Sequence, residues 1–365
     1  MFYEEKLARL ICEYSLEIKE NQVVEIRGEA CAEPLIKACF KKILQMGAYP
    51  IVKMSFADQM ALFYRYANEK ILKMIPESIM VAAKTHDAMI YIDSESNTKQ
   101  LSGVDKQKIA VNRNATRVLK DIMFEREAHG KFRWNIAPYP TASMAQDAEM
   151  DFESYSEFVF DACKLNEDDP VEAWKNVKRF QQGIVDRLTG VKSIRILGQQ
   201  TDLTLNVESR KWINCCGKHN MPDGEVFTSP VENSAEGEMY FDMPTSFLGV
   251  EVQGVYLKFE KGKVVEAKAE KNEDFLLKML DTDEGARFVG EIAFGLNENI
   301  KFPTKNILFD EKIGQTMHLA IGSSYPEAGG KNKSGLHWDL IKSMKNGRVY
   351  ADGKLIYKGG KFIDG

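Results

Sequence analysis

The chain has 365 residues, 44% of them hydrophobic and 28% charged, and that apolar content excludes a disordered chain. With 49 basic against 54 acidic side chains the formal charge is −5 and no long run of Lys or Arg occurs, so no net positive field draws the protein to nucleic acid. At ~150 residues per domain, the length implies two to three domains.

No apolar run approaches the ~18–20 residues that span a bilayer. The opening Met1-Phe2-Tyr3-Glu4-Glu5-Lys6 sets acids where a signal peptide carries positive charge, so a cytoplasmic location is expected. Six cysteines (Cys12, Cys31, Cys39, Cys163, Cys215, Cys216) show no C-x-x-C spacing. They are expected to be reduced and mostly buried, not a disulfide framework or a cysteine zinc site.

Along the chain, Glu4–Lys19 has helical spacing, with Leu7, Leu10, Ile11 and Tyr14 on one face. Gln22–Arg27 reads as a strand and Pro34–Met46 as a helix ended by Gly47. Tyr49–Ser55 is a second strand, followed by helical stretches to about Ala83 and a third, apolar strand at Ala88–Ile92. A helix-rich run covers Lys106–Glu127, and Phe132–Ile136 is a fourth strand. Strands separated by helices predict a parallel sheet covered on both faces. Met144 to about Leu188 is helical again. Asp169-Pro170 starts a helix whose apolar stripe is Trp174, Val177, Phe180 and Ile184. After Gly190 the texture changes to short strands: Ser193–Leu197, Asp202–Val207, Leu248–Phe259, Lys263–Ala269 and Asn306–Phe309. The expected organisation is an α/β domain over 1–188 and a mixed α/β domain over 189–365.

No G-x-G-x-x-G follows any predicted strand, and Gly329-Gly330-Lys331-Asn332-Lys333-Ser334-Gly335 lacks the first glycine of a phosphate loop, which falls on Tyr325. H-E-x-x-H and G-x-S-x-G are also missing, which disfavours a zincin and an α/β-hydrolase. The first domain reads as scaffold or substrate-facing wall.

The chemistry-bearing residues lie late in the chain. Leu336-His337-Trp338-Asp339-Leu340 alternates with period two, so a strand sends His337 and Asp339 to the face opposite Leu336, Trp338 and Leu340. This suits a metal or an acid/base pair; the alternative is an exposed polar face. Met317–Gly322 has the same texture, with His318 and Ala320 opposite Met317, Leu319 and Ile321. A structural role is the alternative for that histidine. In Phe288–Gly295 the pattern sets Val289, Glu291 and Ala293 against Phe288, Ile292 and Phe294. A carboxylate among small and apolar neighbours needs a partner or a cation, unless the segment is a helix with Glu291 exposed. Pro222-Asp223-Gly224 is a turn signal from which Glu225 emerges at a strand start. Three carboxylates and two imidazoles suit Zn²⁺, Co²⁺ or Mn²⁺ better than Ca²⁺ or Mg²⁺. Five ligands exceed the three of a single catalytic zinc, and a bridged pair of ions would use them all.

Asn220-Met221-Pro222-Asp223-Gly224-Glu225-Val226-Phe227-Thr228-Ser229-Pro230 resembles the N-x-P-D-G-E-V-F-T-x-P signature of the aminopeptidase T and aminopeptidase S group of thermophilic metallopeptidases. Gly290-Glu291, Leu308-Phe309-Asp310-Glu311, His318-Leu319-Ala320-Ile321-Gly322, Tyr325-Pro326 and His337-Trp338-Asp339 follow in that family's order. Earlier matches are Trp134, Pro140-Thr141, Ala145-Gln146, Asp169-Pro170, Trp174 and Thr201-Asp202-Leu203, so the resemblance covers nearly the whole chain.

The resemblance implies a flavodoxin-like N-terminal domain, a mixed α/β catalytic domain and a homodimer. It implies a two-metal exopeptidase acting on peptides with a free N-terminus. Its metal ligands would be Glu225, Glu291, His318, His337 and Asp339, with Tyr325 also at the site; Glu311 would be the general base. Glu291 is the expected bridging carboxylate. The chain departs from the family at Glu311-Lys312-Ile313-Gly314, where the usual form is nearer D-E-N-A. A dinuclear metal phosphoesterase and a non-enzymatic two-lobed binding protein are the competing readings. Against the first, the chain has no D-x-H pattern and no basic loop aimed at phosphate.

Overall fold

The computed structural model describes residues 3–363; Met1 and Phe2, used above in the signal-peptide argument, lie outside that range. The chain divides into two compact units. The first runs up to Ala173 and includes Gly217–Pro222; the second comprises Trp174–Cys216 and the chain from Asp223 onward.

The first unit is built on β1 (Val23–Glu29), β2 (Tyr49–Ser55), β3 (Ala88–Asp93) and β4 (Arg133–Pro138), in the order β2-β1-β3-β4. All three pairings are parallel. Helices alternate with them: α1 (Tyr3–Arg9), α2 (Glu33–Gln45), α3 (Gln59–Tyr66), α4 (Glu69–Lys73), α5 (Glu77–Thr85), α6 (Lys106–Ala128), α7 (Ala142–Asp147) and α8 (Phe152–Ala162). Side-chain caps start several of them. Asn68 accepts from the Ile71 N–H, Asp105 from Gln107, Thr141 from Met144 and Asp151 from Ser154. The first predicted helix is shorter and continues as a π turn over Leu10–Ser15, yet Leu7, Leu10, Ile11 and Tyr14 are all buried as the spacing required. The sheet is not covered throughout. On the edge strand β2, Tyr49, Val52 and Met54 are exposed, because only one neighbour flanks it.

α9 (Pro170–Leu188) begins at the predicted proline, with Asp169 Oδ1 accepting the Val171 N–H at 3.1 Å. Its buried stripe differs from the predicted one. Phe180 is 61% exposed, and Gln181 takes the inward position with Trp174 and Ile184. The Gln181 amide outweighs the apolar ring there because it donates to Asn214 Oδ1, Cys215 O and Glu225 O at 2.8, 2.8 and 3.1 Å.

The second unit contains two large antiparallel sheets. Its elements are β5 (Ser193–Gly198), β6 (Thr201–Asn206), β7 (Ile213–Cys215), β8 (Glu225–Thr228), β9 (Glu236–Phe241), β10 (Thr245–Phe247), β11 (Val250–Val252), β12 (Val255–Glu260) and β13 (Lys263–Lys268). There follow α10 (Glu273–Leu280), β14 (Val289–Gly295), α11 (Ile307–Asp310), β15 (Thr316–Gly322), β16 (His337–Ser343), β17 (Arg348–Ala351), β18 (Lys354–Lys358) and β19 (Lys361–Phe362). An eight-stranded sheet has the order β13-β12-β9-β6-β5-β17-β18-β19, a five-stranded sheet the order β16-β15-β14-β8-β7, and β10 and β11 form a ribbon. Asn306–Phe309, expected as a strand, instead opens α11: Asn306 accepts the Leu308 N–H and caps a helical turn. The long Leu248–Phe259 strand is two, broken at Gly254, whose φ is +61°.

One hydrophobic core joins the two sheets. Ile194, Leu203, Met239 and Leu257 enter it from the eight-stranded sheet; Val226, Ile292, Phe294, Met317, Leu319, Trp338 and Leu340 enter from the five-stranded one. One face of the five-stranded sheet is therefore committed to the core. Alternation turns Glu225, Glu291, His318, His337 and Asp339 to the other.

Candidate metal centre

The strand register sets the spacing of these five side chains. Glu291 lies opposite Ala320, and Ala320 opposite Asp339. His318 faces Ala293, Glu225 faces Gly295 and His337 faces Gly322. Each candidate ligand thus has an Ala or Gly beside it across the sheet, which leaves volume above the strands for the acids and imidazoles to converge.

β14 reaches this arrangement through a bulge. Its register against β15 slips between Val289 and Glu291. A Cβ on the intervening Gly290 would meet the Ser323 carbonyl oxygen at 2.2 Å, so the close approach requires glycine. The bulge sends Val289 into the core with Ile292 and Phe294. Strict alternation had set Val289 beside Glu291; the extra residue reverses that.

Both histidines are anchored from behind. His318 Nδ1 donates to the Glu311 carbonyl at 3.0 Å and His337 Nδ1 to the Ser323 carbonyl at 2.8 Å. A carbonyl can only accept, so Nδ1 carries a proton, and whenever the ring is neutral its Nε2 lone pair points into the cluster. His318 Nε2 lies 3.5 Å from Glu225 Oε2, 3.6 Å from Glu291 Oε1 and 3.9 Å from Asp339 Oδ1. His337 Nε2 lies 3.4 Å from Glu291 Oε2 and 3.6 Å from Asp339 Oδ1. Glu291 therefore offers one oxygen to each imidazole.

These separations exceed the ~2.7–3.2 Å of good N–H···O bonds. They match the ~3.4 Å between two ligands that each sit ~2.1 Å from one tetrahedral ion. Glu225 Oε2, His318 Nε2 and Asp339 Oδ1 are buried without a hydrogen-bond partner. Orphaned buried donor atoms facing one another are costly in a protein alone and satisfied by a cation, so these residues fit a divalent metal. Donor atoms of Glu225, Glu291 and His318, of Glu291, His337 and Asp339, and of Glu311, His318 and Asp339 form groups lying within 4.8 Å of one another.

The electrostatics follow from burial and mutual pairing. Burial would raise the Glu291 carboxyl, but the two imidazoles facing it, His318 and His337, hold it down to about 2. Burial would lower His337, yet Asp339 and Glu291 push it up to about 10; His318 moves up for the same reasons. Glu225 is raised by burial despite Lys312 and His318.

Tyr325 is partly exposed, with its ring 5.1 Å from that of His337 and 5.0 Å from that of Phe227. Desolvation and then Glu291, Asp339 and Glu225 push its phenol upward. Glu311 follows α11, half-buried. Its carboxylate contacts Lys312 Nζ, which also lies 3.3 Å from Glu225 Oε1. Lys312 itself is fully buried.

Three residues near the cluster escaped the sequence reading. Lys312 looks like any surface lysine in a polar stretch. Cys215 and Asp223 form a further donor group with Glu225; their only signal was nearness to the Pro-Asp-Gly turn. Among the described residues the six cysteines form no disulfide, and Cys12, Cys39, Cys163 and Cys216 are buried.

Comparison with known proteins agrees with this chemistry. A family model described as thermophilic metalloprotease (M29) matches residues 4–362. Aminopeptidase AmpS of Bacillus subtilis is 29% identical, with 95% of this chain and 94% of that protein covered. Aminopeptidase T of Thermus thermophilus is 28% identical over 88% of this chain and 85% of its own. The solved structure of wild-type AmpT from Thermus thermophilus superposes with a TM-score of 0.85 over 99% of both chains at 24% identity, which shows a shared fold. The match over nearly the full length favours peptide-bond hydrolysis over the phosphoesterase and binding-protein readings, and the chain belongs to the M29 family of thermophilic metalloproteases.

Proposed function

We propose that the protein is a metal-dependent aminopeptidase whose reaction centre is the cluster on the free face of the five-stranded sheet, with 189–365 as the catalytic domain. One observation carries this reading: three buried donor atoms, Glu225 Oε2, His318 Nε2 and Asp339 Oδ1, lack partners and face each other in a chain of a metallopeptidase family. Glu225, Glu291, His318, His337 and Asp339 would hold two divalent ions of the Zn²⁺, Co²⁺ or Mn²⁺ class, with Tyr325 at the rim and Glu291 bridging. Its two oxygens, each turned to a different imidazole, support the bridging role. Bound divalent ions supply Lewis acidity, making water acidic enough to react near neutral pH and polarising a carbonyl.

The chain's own groups do the rest. Glu311 takes a proton from the attacking water and returns it to the leaving amine. The Tyr325 hydroxyl, kept protonated by its surroundings, donates to the carbonyl oxygen as negative charge develops there. Selection for a free N-terminus would come from the unblocked α-amine, whose nitrogen can be taken up by a bound ion or a carboxylate at the centre, whereas acetylation removes that basic nitrogen.

The protein acts in the cytoplasm as a homodimer on peptides. Among the described residues no helix is long and apolar enough to cross a membrane. Exposed Tyr49, Val52 and Met54 on β2 supply apolar surface for a second copy. The test is release of amino acids from an unblocked peptide and from its N-acetylated twin, with metal content measured on the same sample. Release from the unblocked peptide alone, lost on chelation and restored by metal, is expected. Equal cleavage of both peptides would refute the exopeptidase reading.

A further inference from the structure

Lys312 stands where the chain leaves the family pattern, and its environment is unlike that of a surface lysine. It has no exposure, and its backbone is fixed on both sides: its N–H donates to the Phe309 carbonyl at 3.0 Å and its carbonyl accepts the Asn297 N–H at 3.0 Å. A buried ammonium persists only when paired, and the partners are Glu225 Oε1 at 3.3 Å and Glu311 Oε1. Each carboxylate thereby has one oxygen engaged. On Glu225 the other oxygen, Oε2, is the orphan facing His318. On Glu311 the same contact fixes the carboxylate beside the cluster it shares with His318 and Asp339.

We propose that Lys312 is a positioning residue: its ammonium withholds one oxygen of Glu225, leaving it a one-oxygen metal donor, and clamps the Glu311 carboxylate in the orientation needed for proton transfer. The proposal rests on the roles given to Glu225 and Glu311 above. A chain that only needed a filled cavity at this point would place an apolar side chain there at less cost.

The experiment is a double-mutant cycle on the full chain, Lys312→Met and Glu311→Gln singly and together, with kcat, KM and Co²⁺ binding measured for each. Lys312→Met should lower kcat ~10²-fold, within the range of a positioned acid/base, with KM within threefold. Co²⁺ should bind at least as tightly, since a neighbouring positive charge is gone. The visible spectrum of the bound Co²⁺ should change as Glu225 gains a second donor oxygen. In the Glu311→Gln background the same substitution should change kcat less than threefold, because the group it positions is already lost. A merely structural role predicts weaker Co²⁺ binding and losses that multiply, and either result overturns the proposal. Wild-type kcat in Lys312→Met with Glu311→Gln impaired removes Lys312 alone, whereas wild-type kcat in Glu311→Gln removes the base assignment and the clamp together. If Lys312→Met does not fold, Lys312→Arg carries the test. It keeps the charge but replaces a point contact by a planar fork, so kcat should fall ~10-fold with Co²⁺ binding intact. Wild-type kcat there overturns the proposal.

Discussion

Glu291 and Glu311 are both carboxylates within one cluster, yet their surroundings predict different failures. Glu291 is almost fully buried between two imidazoles, so Glu291→Gln removes a charge that two donor rings face. Metal per chain, measured by elemental analysis, should fall in that variant; full occupancy would contradict a ligand role. Glu311 stands to the side against Lys312. Glu311→Gln should keep its metal and lose ~10²–10⁴ in turnover, as expected for a positioned base. Period-two alternation in the sequence separates His337 and Asp339 from Trp338 and Glu291 from Ile292 and Phe294, whereas Glu311 is reached only through the family resemblance. Sequence could not reach Lys312, whose burial depends on what folds over it, nor choose Gln181 over Phe180, since a helical stripe fits either residue and only the three amide acceptors decide.

At the scale of the element, the cluster depends on the backbone of β14 as much as on its side chains. Gly290 lies where a Cβ would strike the Ser323 carbonyl, and that carbonyl holds His337 Nδ1. Gly290→Ala should therefore cost roughly 1–3 kcal/mol, the scale of overpacking, and weaken metal binding by misaiming His337. Calorimetry and a metal titration on the same variant check this. An unchanged melting temperature and affinity would show that the loop carrying Ser323 yields freely. The bulge is invisible to alternation, which assumes one residue per step. Asn306–Phe309 illustrates the same limit, because its apolar run suits a strand or one helical turn equally, and the Asn306 cap selects the turn.

For the whole molecule, the proposed metal centre would couple metal binding, protonation and stability. In metal-free protein His337 is raised from its ordinary 6.5 to about 10, so its contribution is complete below pH 6.5 and is lost as pH rises through 10. Glu291, lowered from 4.5 to about 2, contributes above pH 4.5 and loses that contribution as pH falls through 2. Metal requires the neutral imidazole, so its stabilisation grows with pH over the same interval. The melting temperatures of metal-loaded and chelated protein should diverge between pH 6.5 and 10, and scanning calorimetry in matched buffers measures that. A constant difference would mean that protons and metal do not compete at His337.

The sequence by itself determined the alternation of strands and helices in the first half, the change of texture after Gly190, and the separation of polar and apolar faces on the late strands. These are local properties, set by the periods of the backbone and the chemistry of caps and turns. Only the tertiary structure decided that four strands carry their five donors to one place. It also decided that Ala293, Gly295, Ala320 and Gly322 leave room beside them, and that carbonyls of Glu311 and Ser323 aim the two imidazoles. Strand order and register join residues more than a hundred positions apart, and no local period encodes which strand lies beside which.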